Sequence, residues 1–148
     1  MHCSRLLPAV LALLALALPA SAQQSQMFGP YELHYSVVNT TFLAPEVASA
    51  YGIVRARDRA IVNLAVREHL ADGTSAARTL QLEGRTWDLI QKGHPLEFNE
   101  VREGQAIYYL AEIGFLNEDW HFFEVTFRPE GARESFTFEF KQQLYQDQ

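Results

Sequence analysis

The sequence lacks the means to form a disulfide within one molecule, because it contains a single cysteine, Cys3. A domain without disulfides has to be held together by its hydrophobic core. The chain of 148 residues is long enough for this, since domains of roughly 100 to 150 residues are the commonest size.

The sequence also lacks a basic excess. It carries 12 lysine and arginine residues against 18 aspartate and glutamate residues, and its formal net charge is −6 with histidine neutral. Proteins that bind nucleic acid need the opposite balance, because they neutralise phosphates with basic side chains. No nucleic-acid partner is therefore predicted. No cofactor is predicted either, and without a G-x-S-x-G motif the sequence indicates no catalytic serine.

Long apolar runs are scarce, and the clearest one lies near the N-terminus. Arg5 precedes the uncharged segment 6–18, and the small residues Ala20 and Ala22 follow it. This arrangement is typical of a secretory signal peptide that ends in an A-x-A cleavage pattern. The run is shorter than the roughly 20 residues that a membrane-spanning helix needs. We predict a cleaved signal at residues 1–22 and one domain at residues 23–148, with no membrane-spanning segment after cleavage; the alternative is a retained N-terminal anchor.

Short segments of alternating apolar and polar residues fill most of the remaining chain. In the last of them Phe136, Phe138 and Phe140 fall on one face of a strand, whereas a helix would scatter them. Residues 121–129 are predicted to pair with residues 134–140 across the turn "PEGAR". Residues 59–69 and 77–85 are predicted to form another hairpin, and residues 23–30 a polar leader.

Seven or eight short antiparallel strands at this spacing predict an all-β fold. The expected architecture is a single antiparallel β-sandwich of immunoglobulin-like type, and a small barrel is the alternative.

The stretch "PEVASAYG" departs from the strand pattern. Pro45 suits the first turn of a helix, Glu46 complements its positive end, and Gly52 suits its C-terminal cap. We predict a short crossover helix at about residues 45–51, with Val47 and Tyr51 packed over one end of the sandwich.

The segment "FGPYELHYSVVNTTFLAPEVASAYGIVRARDRAIVNLAV" resembles the N-terminal half of a family of small periplasmic proteobacterial proteins, the domain of unknown function 4426. The resemblance continues through "EGQAIYYLAE", "FRPEG" and "FEFKQQLY" and covers nearly all of the chain after the signal. It implies a periplasmic β-sandwich, and it assigns no activity and no catalytic residues.

The arginines of "RARDR" are the sharpest charged feature. In an extended strand Arg55, Arg57 and Arg59 would project from one face, because strand side chains alternate. Such a strip could bind a small anionic ligand or an acidic partner; the alternative is a solvated strand edge. Tyr51 beside the strip and Trp120, on the less buried face of its strand, complete the predicted binding surface.

Histidines offer a second hypothesis. His69 in "HLAD" and His121 in "EDWH" each have a carboxylate within three residues, and zinc sites use such groups. The pairs lack the spacing of a known metal motif, so no metal ligands are assigned.

The function predicted from these features is a periplasmic, non-catalytic binding or interaction module. Its partner would be another envelope protein or a small anionic ligand. Two alternatives remain open: a metal-dependent or hydrolytic enzyme that uses His69, His121 and nearby carboxylates, and a chaperone-like assembly accessory that lends a sheet edge to another envelope protein.

Overall fold

The structure is a computed structural model and describes residues 24–147. The predicted signal peptide, residues 1–22, lies outside the described residues.

The strands form two antiparallel sheets. The larger sheet has six strands: β1 (Gln24–Phe28), β2 (Tyr31–Asn39), β3 (Arg59–His69), β4 (Ser75–Ala77), β7 (Asn99–Glu103) and β8 (Ala106–Gly114). Five of them lie side by side in the order β1-β2-β3-β8-β7, and the short β4 pairs with the end of β3. The smaller sheet has four strands in the order β10-β9-β5-β6: β5 (Leu80–Trp87), β6 (Gly93–Leu96), β9 (Asp119–Pro129) and β10 (Phe136–Leu144).

The core lies between the two sheets and follows the two-residue period of the strands. Phe123, Val125 and Phe127 of β9 are completely buried, and so are Leu33 of β2 and Leu64 of β3. The intervening residues of β9 face the outside of the smaller sheet and are only partly buried or exposed. The fold is therefore the predicted all-β sandwich.

Aromatic rings pack in the core, both within the smaller sheet and across to β1 of the larger one. The ring of Phe127 lies 5.2 Å from Phe28 of β1 and 5.5 Å from Phe136 of β10, measured between ring centroids. Phe123 stacks on Phe140 at 4.5 Å. Ring pairs at such distances contribute about 0.5–1.5 kcal/mol beyond the burial of their area.

Two of the predicted strand pairings have different outcomes. The hairpin of β9 and β10 is confirmed, with Phe127 opposite Phe136. The predicted hairpin of residues 59–69 with 77–85 is wrong. After the turn that follows β3, only the three residues of β4 pair with β3, and the chain then crosses to the smaller sheet as β5. The alternating pattern fixes which face of a strand is buried but does not say which strand is its neighbour.

The predicted polar leader also differs from the structure, because residues 24–28 form the edge strand β1. Its first four residues are exposed, so no apolar alternation marks it in the sequence. Its backbone pairs with β2, and Phe28 provides the contact with the core.

A crossover connects β2 to β3 and contains the predicted helix, α1 (Pro45–Ala50), after a 3-10 turn (Thr40–Phe42). Gly52 ends the helix with a positive φ of 67°. The amides of Gly52 and Ile53 donate to the carbonyl oxygens of Ser49 and Ala48 at 3.2 Å and 2.8 Å. This is the Schellman arrangement, in which glycine adopts the left-handed conformation at low cost.

The substitution Phe127→Ala should lower the free energy of unfolding by about 3–5 kcal/mol, because it leaves a cavity among packed rings. Chemical denaturation of the purified domain measures this. Phe42→Ala is the matched control, since Phe42 is largely exposed, and its effect should stay within about 0.5 kcal/mol. Equal losses in the two variants would contradict the described core.

Candidate functional site

One end of the sandwich carries most of the predicted site residues. We call it the crossover end, and it consists of residues 40–58, the loops 88–92 and 115–118, and the tail 145–147. These segments meet because Asn39 lies opposite Ala60, Gly114 opposite Arg59, and Asp119 opposite Leu144. Trp87, at the end of β5, lies opposite Phe122, near the start of β9.

The three arginines do not form the predicted row. Residues 55–58 precede the strand, and only Arg59 belongs to β3. The guanidinium of Arg55 donates to the Thr41 carbonyl oxygen at 2.9 Å, and that of Arg57 donates to the Asp147 carbonyl oxygen at 2.8 Å. The extended strand needed for an anion-binding strip is therefore absent here, and two of its arginines bind the protein's own backbone.

The crossover also holds the C-terminal tail through "NTT". The Asn39 amide donates to the Tyr145 carbonyl oxygen at 2.6 Å, and the Thr41 hydroxyl donates to the Asp147 carboxylate. The buried Thr40 hydroxyl donates to the Ala56 carbonyl and accepts from the Ala56 amide, both at 2.9 Å. We infer that this conspicuous motif has a structural role, because it joins the crossover to the tail.

The helix α1 packs differently from the prediction. Ala48 is 2% exposed and faces the sandwich, whereas Val47 is 42% exposed. Successive helical residues are rotated by about 100°, so when Ala48 faces inward Val47 turns away. Tyr51 is half-buried. The expectation that Val47 covers the end of the core is therefore wrong.

Trp120 lies on the outer face of the smaller sheet, where it is half-buried. The ammonium of Lys141 lies 5.5 Å from its ring centroid. On the same face Phe122 stacks on Trp87 with 5.8 Å between centroids and 13° between planes. The guanidinium of Arg85 lies 4.8 Å from the Trp87 ring centroid. Residues on three neighbouring strands thus form a row of aromatic rings flanked by cations.

Two depressions lie on either side of this aromatic row. An open cavity of about 860 Å³ is lined by residues that include Glu83, Arg85, Trp87, Gln91 and Glu124. A smaller cavity of about 210 Å³ is lined by Trp87, Phe122, Glu139 and Lys141, among others. We call the two cavities and the ridge of Trp87 and Phe122 between them the outer groove.

The charges in the outer groove nearly balance. The Arg85 Nε lies 3.2 Å from a Glu124 carboxylate oxygen. This hydrogen bond, together with one from the Glu139 carboxyl, lowers the pKa of Glu124 below its ordinary value. Glu83 adds a second acid to the larger cavity, and Lys141 adds a cation to the smaller one. This mixture suits hydrogen bonding to a polar, uncharged ligand better than capture of an anion.

The histidines fall into separate places. His69 and His34 both lie near one oxygen of Glu32, with their Nε2 atoms 2.7 Å and 3.7 Å away. His121 is buried in the smaller sheet, 2.9 Å from Asp119 through Nε2. The hypothesis that His69 and His121 share one site is wrong, because the two histidines belong to different sheets and lie at opposite ends of the sandwich.

Metal and nucleophile chemistry find little support in the described part of the chain. No group of three or more histidine, cysteine, aspartate or glutamate side chains between residues 24 and 147 is arranged to hold a metal ion. The Thr86 hydroxyl lies 3.3 Å from His121 Nδ1, but Thr86 is buried and donates to the Phe122 carbonyl. Thr86 also lines the larger cavity of the outer groove, but its hydroxyl is engaged by the Phe122 carbonyl oxygen.

The sequence drew attention to Trp120 but not to Arg85, Trp87 and Glu124. The signal was present, since Arg85 and Trp87 alternate on β5 and Phe122 and Glu124 alternate on β9. The pairing of β5 with β9 brings the two sets together, and that pairing is a long-range feature that no local pattern contains.

A family model described as "Domain of unknown function (DUF4426)" matches residues 25–147. The chain belongs to the DUF4426 family. A crystal structure of a DUF4426 family protein from Pseudomonas aeruginosa PAO1 shares 34% sequence identity with a TM-score of 0.72; the match covers 84% of this chain and 96% of that one. The predicted family is therefore confirmed.

The DUF4426 fold also resembles that of FetP from uropathogenic Escherichia coli strain F11. One FetP structure, of protein expressed in the periplasm, matches with 10% identity and a TM-score of 0.61, covering 86% of this chain and 96% of FetP. A copper-bound FetP variant matches with 9% identity and a TM-score of 0.59, covering 86% and 92%. At this identity the likeness concerns the fold alone.

The curated proteins include no match to this DUF4426 chain. Within residues 24–147, no helix is both long and apolar enough to cross a membrane.

The substitution Arg57→Ala should loosen the tail without unfolding the sandwich. It removes the hydrogen bond to the Asp147 carbonyl, which is worth about 0.5–1.5 kcal/mol. We expect faster hydrogen exchange at the Gln146 amide, which donates to Asn117 at 2.9 Å. Arg59→Ala at the exposed start of β3 is the control and should leave this amide unchanged. If both variants exchange at the wild-type rate, Arg57 does not hold the tail.

Glu32 should make stability depend on pH. Hydrogen bonds from His69 and then Ser25 lower the pKa of Glu32 from its ordinary value of 4.5. Its contribution is therefore present above the unfolded value and is lost as pH falls through the lower, folded value. In unfolding experiments between pH 6 and pH 3, Glu32→Gln should lose less stability than the wild type. Glu83→Gln, at an exposed strand position, is the control and should lose as much stability as the wild type. If stability falls equally with pH in the wild type and in Glu32→Gln, Glu32 is not the source of the pH dependence.

Proposed function

We propose that the protein is a periplasmic, non-catalytic binding module that holds a linear, uncharged glycan in the outer groove. The observation that carries this proposal is the ridge of Trp87 and Phe122, with a depression on each side. Sugar rings have flat apolar faces that pack on aromatic side chains, and their hydroxyl groups take part in hydrogen bonds at the ring edges.

The polar groups around the ridge support this ligand class. Arg85 provides donors, Glu124 and Glu83 provide acceptors, and Gln91 provides both. A planar guanidinium and planar carboxylates match pairs of neighbouring hydroxyl groups on a sugar. The predicted small anion is a poorer fit, because the larger cavity has two carboxylates near its single guanidinium.

The shape of the groove supports an extended ligand. The larger cavity lies over β5, β6 and β9, and the smaller one over β5, β9 and β10. Ligand sites of about 300–1,000 Å³ are common in proteins. A chain of several sugars would cross the strands, with one ring on the ridge and its neighbours in the depressions.

The periplasmic part of the proposal is supported by the signal-like segment 1–22 and by the family resemblance. The non-catalytic part is supported by the burial of Thr86 beside His121. It is also supported by the pairing of Glu124 with Arg85, which keeps that carboxylate ionised and engaged.

Titration with the β-1,4-linked tetramer of N-acetylglucosamine and with maltoheptaose, followed by tryptophan fluorescence, tests the proposal. At least one glycan should bind saturably, and Trp87→Ala should weaken it by about tenfold or more, since loss of a central aromatic contact costs 1 to 2 kcal/mol or more. Calorimetric titration should give the same ranking without depending on Trp87 emission.

Gln81→Ala is the matched control, because Gln81 is exposed on the same face and bonds Arg128 away from the ridge. It should bind as the wild type does. Citrate and inorganic phosphate should not bind. If citrate binds and neither glycan does, the anion hypothesis is favoured. If the Trp87→Ala variant binds the glycan with unchanged affinity, the ridge is excluded as the binding site.

A further inference from the structure

The two ends of the sandwich differ sharply in polarity. Nine large hydrophobic residues are well exposed among the described residues. Seven of them belong to the crossover end: Phe42, Val47, Val54, Leu89, Ile90, Leu116 and Tyr145. The opposite end has polar turns with glycines at positive φ, such as Gly73, Gly104 and Gly131. The other two residues of this set, Met27 and Leu70, lie towards that end.

The exposure at the crossover end is greatest at loop tips. Ile90 is 82% exposed in the loop between β5 and β6, Leu116 is 75% exposed between β8 and β9, and Phe42 is 71% exposed in the crossover. These side chains come from three separate connections and do not take part in the core. Exposed apolar side chains grouped on one surface are typical of sites that contact another protein or a membrane.

The direction of β1 favours a membrane as the partner of this end. β1 runs antiparallel to β2, and Gln24 lies opposite Tyr35, four residues before β2 ends at Asn39. The chain that precedes Gln24 is therefore directed towards the crossover end. Four residues of strand cover about 13 Å, and the five residues 19–23 can span about 17 Å when extended.

Before the predicted cleavage, the apolar run 6–18 of the precursor would thus end within reach of the crossover end. Such a run partitions into a membrane. A sandwich attached to it would present this end, and not the polar one, to the lipid. The geometry of β1 and the position of the exposed apolar residues agree on one orientation.

We propose that the crossover end is a membrane-contact surface that places Ile90, Leu116 and Phe42 in the interfacial region of a phospholipid bilayer. The proposal is independent of the outer groove. The negative charge of the protein, −6, gives no general attraction to anionic lipids, so contact should depend on apolar burial and be insensitive to salt.

Flotation with phosphatidylcholine vesicles tests this proposal on the chain from residue 23, which contains both sheets and the whole described core. The wild type should float with the vesicles at both 0.1 M and 0.5 M salt. The double variant Ile90→Asp with Leu116→Asp should bind about tenfold less or weaker still, because it replaces two apolar loop tips by charges. Met27→Asp with Leu70→Asp is the matched control away from this end and should bind as the wild type does. Unfolding midpoints close to that of the wild type establish that the variants are folded.

A site-specific measurement gives the depth of contact. Cys3 belongs to the signal segment, so Leu116→Cys provides a single thiol for a polarity-sensitive dye, and Leu70→Cys provides the control. The dye at residue 116 should shift to the blue when vesicles are added, and the dye at residue 70 should not. The proposal is overturned if the wild type does not float, if the aspartate double variant floats equally well, or if light scattering shows a dimer that this variant dissolves, since a second copy would then cover the surface.

Discussion

Packing of aromatic rings between the sheets is the interaction on which the rest of the structure depends. Phe123 and Phe127 lie at the centre of the smaller sheet, and rings from β1 and β10 close around them. No disulfide assists, because the one cysteine lies in the predicted signal. The inner faces of the strands therefore serve stability, and only the outer faces and the loop ends are free to contact other molecules.

How much could be predicted from the sequence depended on the range of the interaction involved. The period of two in β9 and β10 fixed their buried faces, and proline and glycine fixed the short helix α1. The edge strand β1 cannot be recognised in the sequence, because its exposed residues follow no apolar pattern. The pairing of β5 with β9 cannot be recognised for a different reason: it depends on contacts between segments about 40 residues apart, which leave no local signature.

The arginine segment shows the same limit at the level of a site. A count of charges could identify Arg55 and Arg57 as unusual in an acidic protein. It could not show that their partners are backbone carbonyl oxygens of Thr41 and Asp147. In the outer groove the reverse holds, because Trp87 and Arg85 looked ordinary until strand pairing placed them beside Phe122 and Glu124.

The hydrogen bonds that fasten the tail have a consequence for the order of folding. Asn39 and its partner Tyr145 are 106 residues apart, so the crossover end is completed only when the last-made part of the chain arrives. Synthesis runs from the N-terminus, so residues 145–147 are the last of the described chain to be made. Closure of this end is therefore a late event that cannot precede completion of the chain.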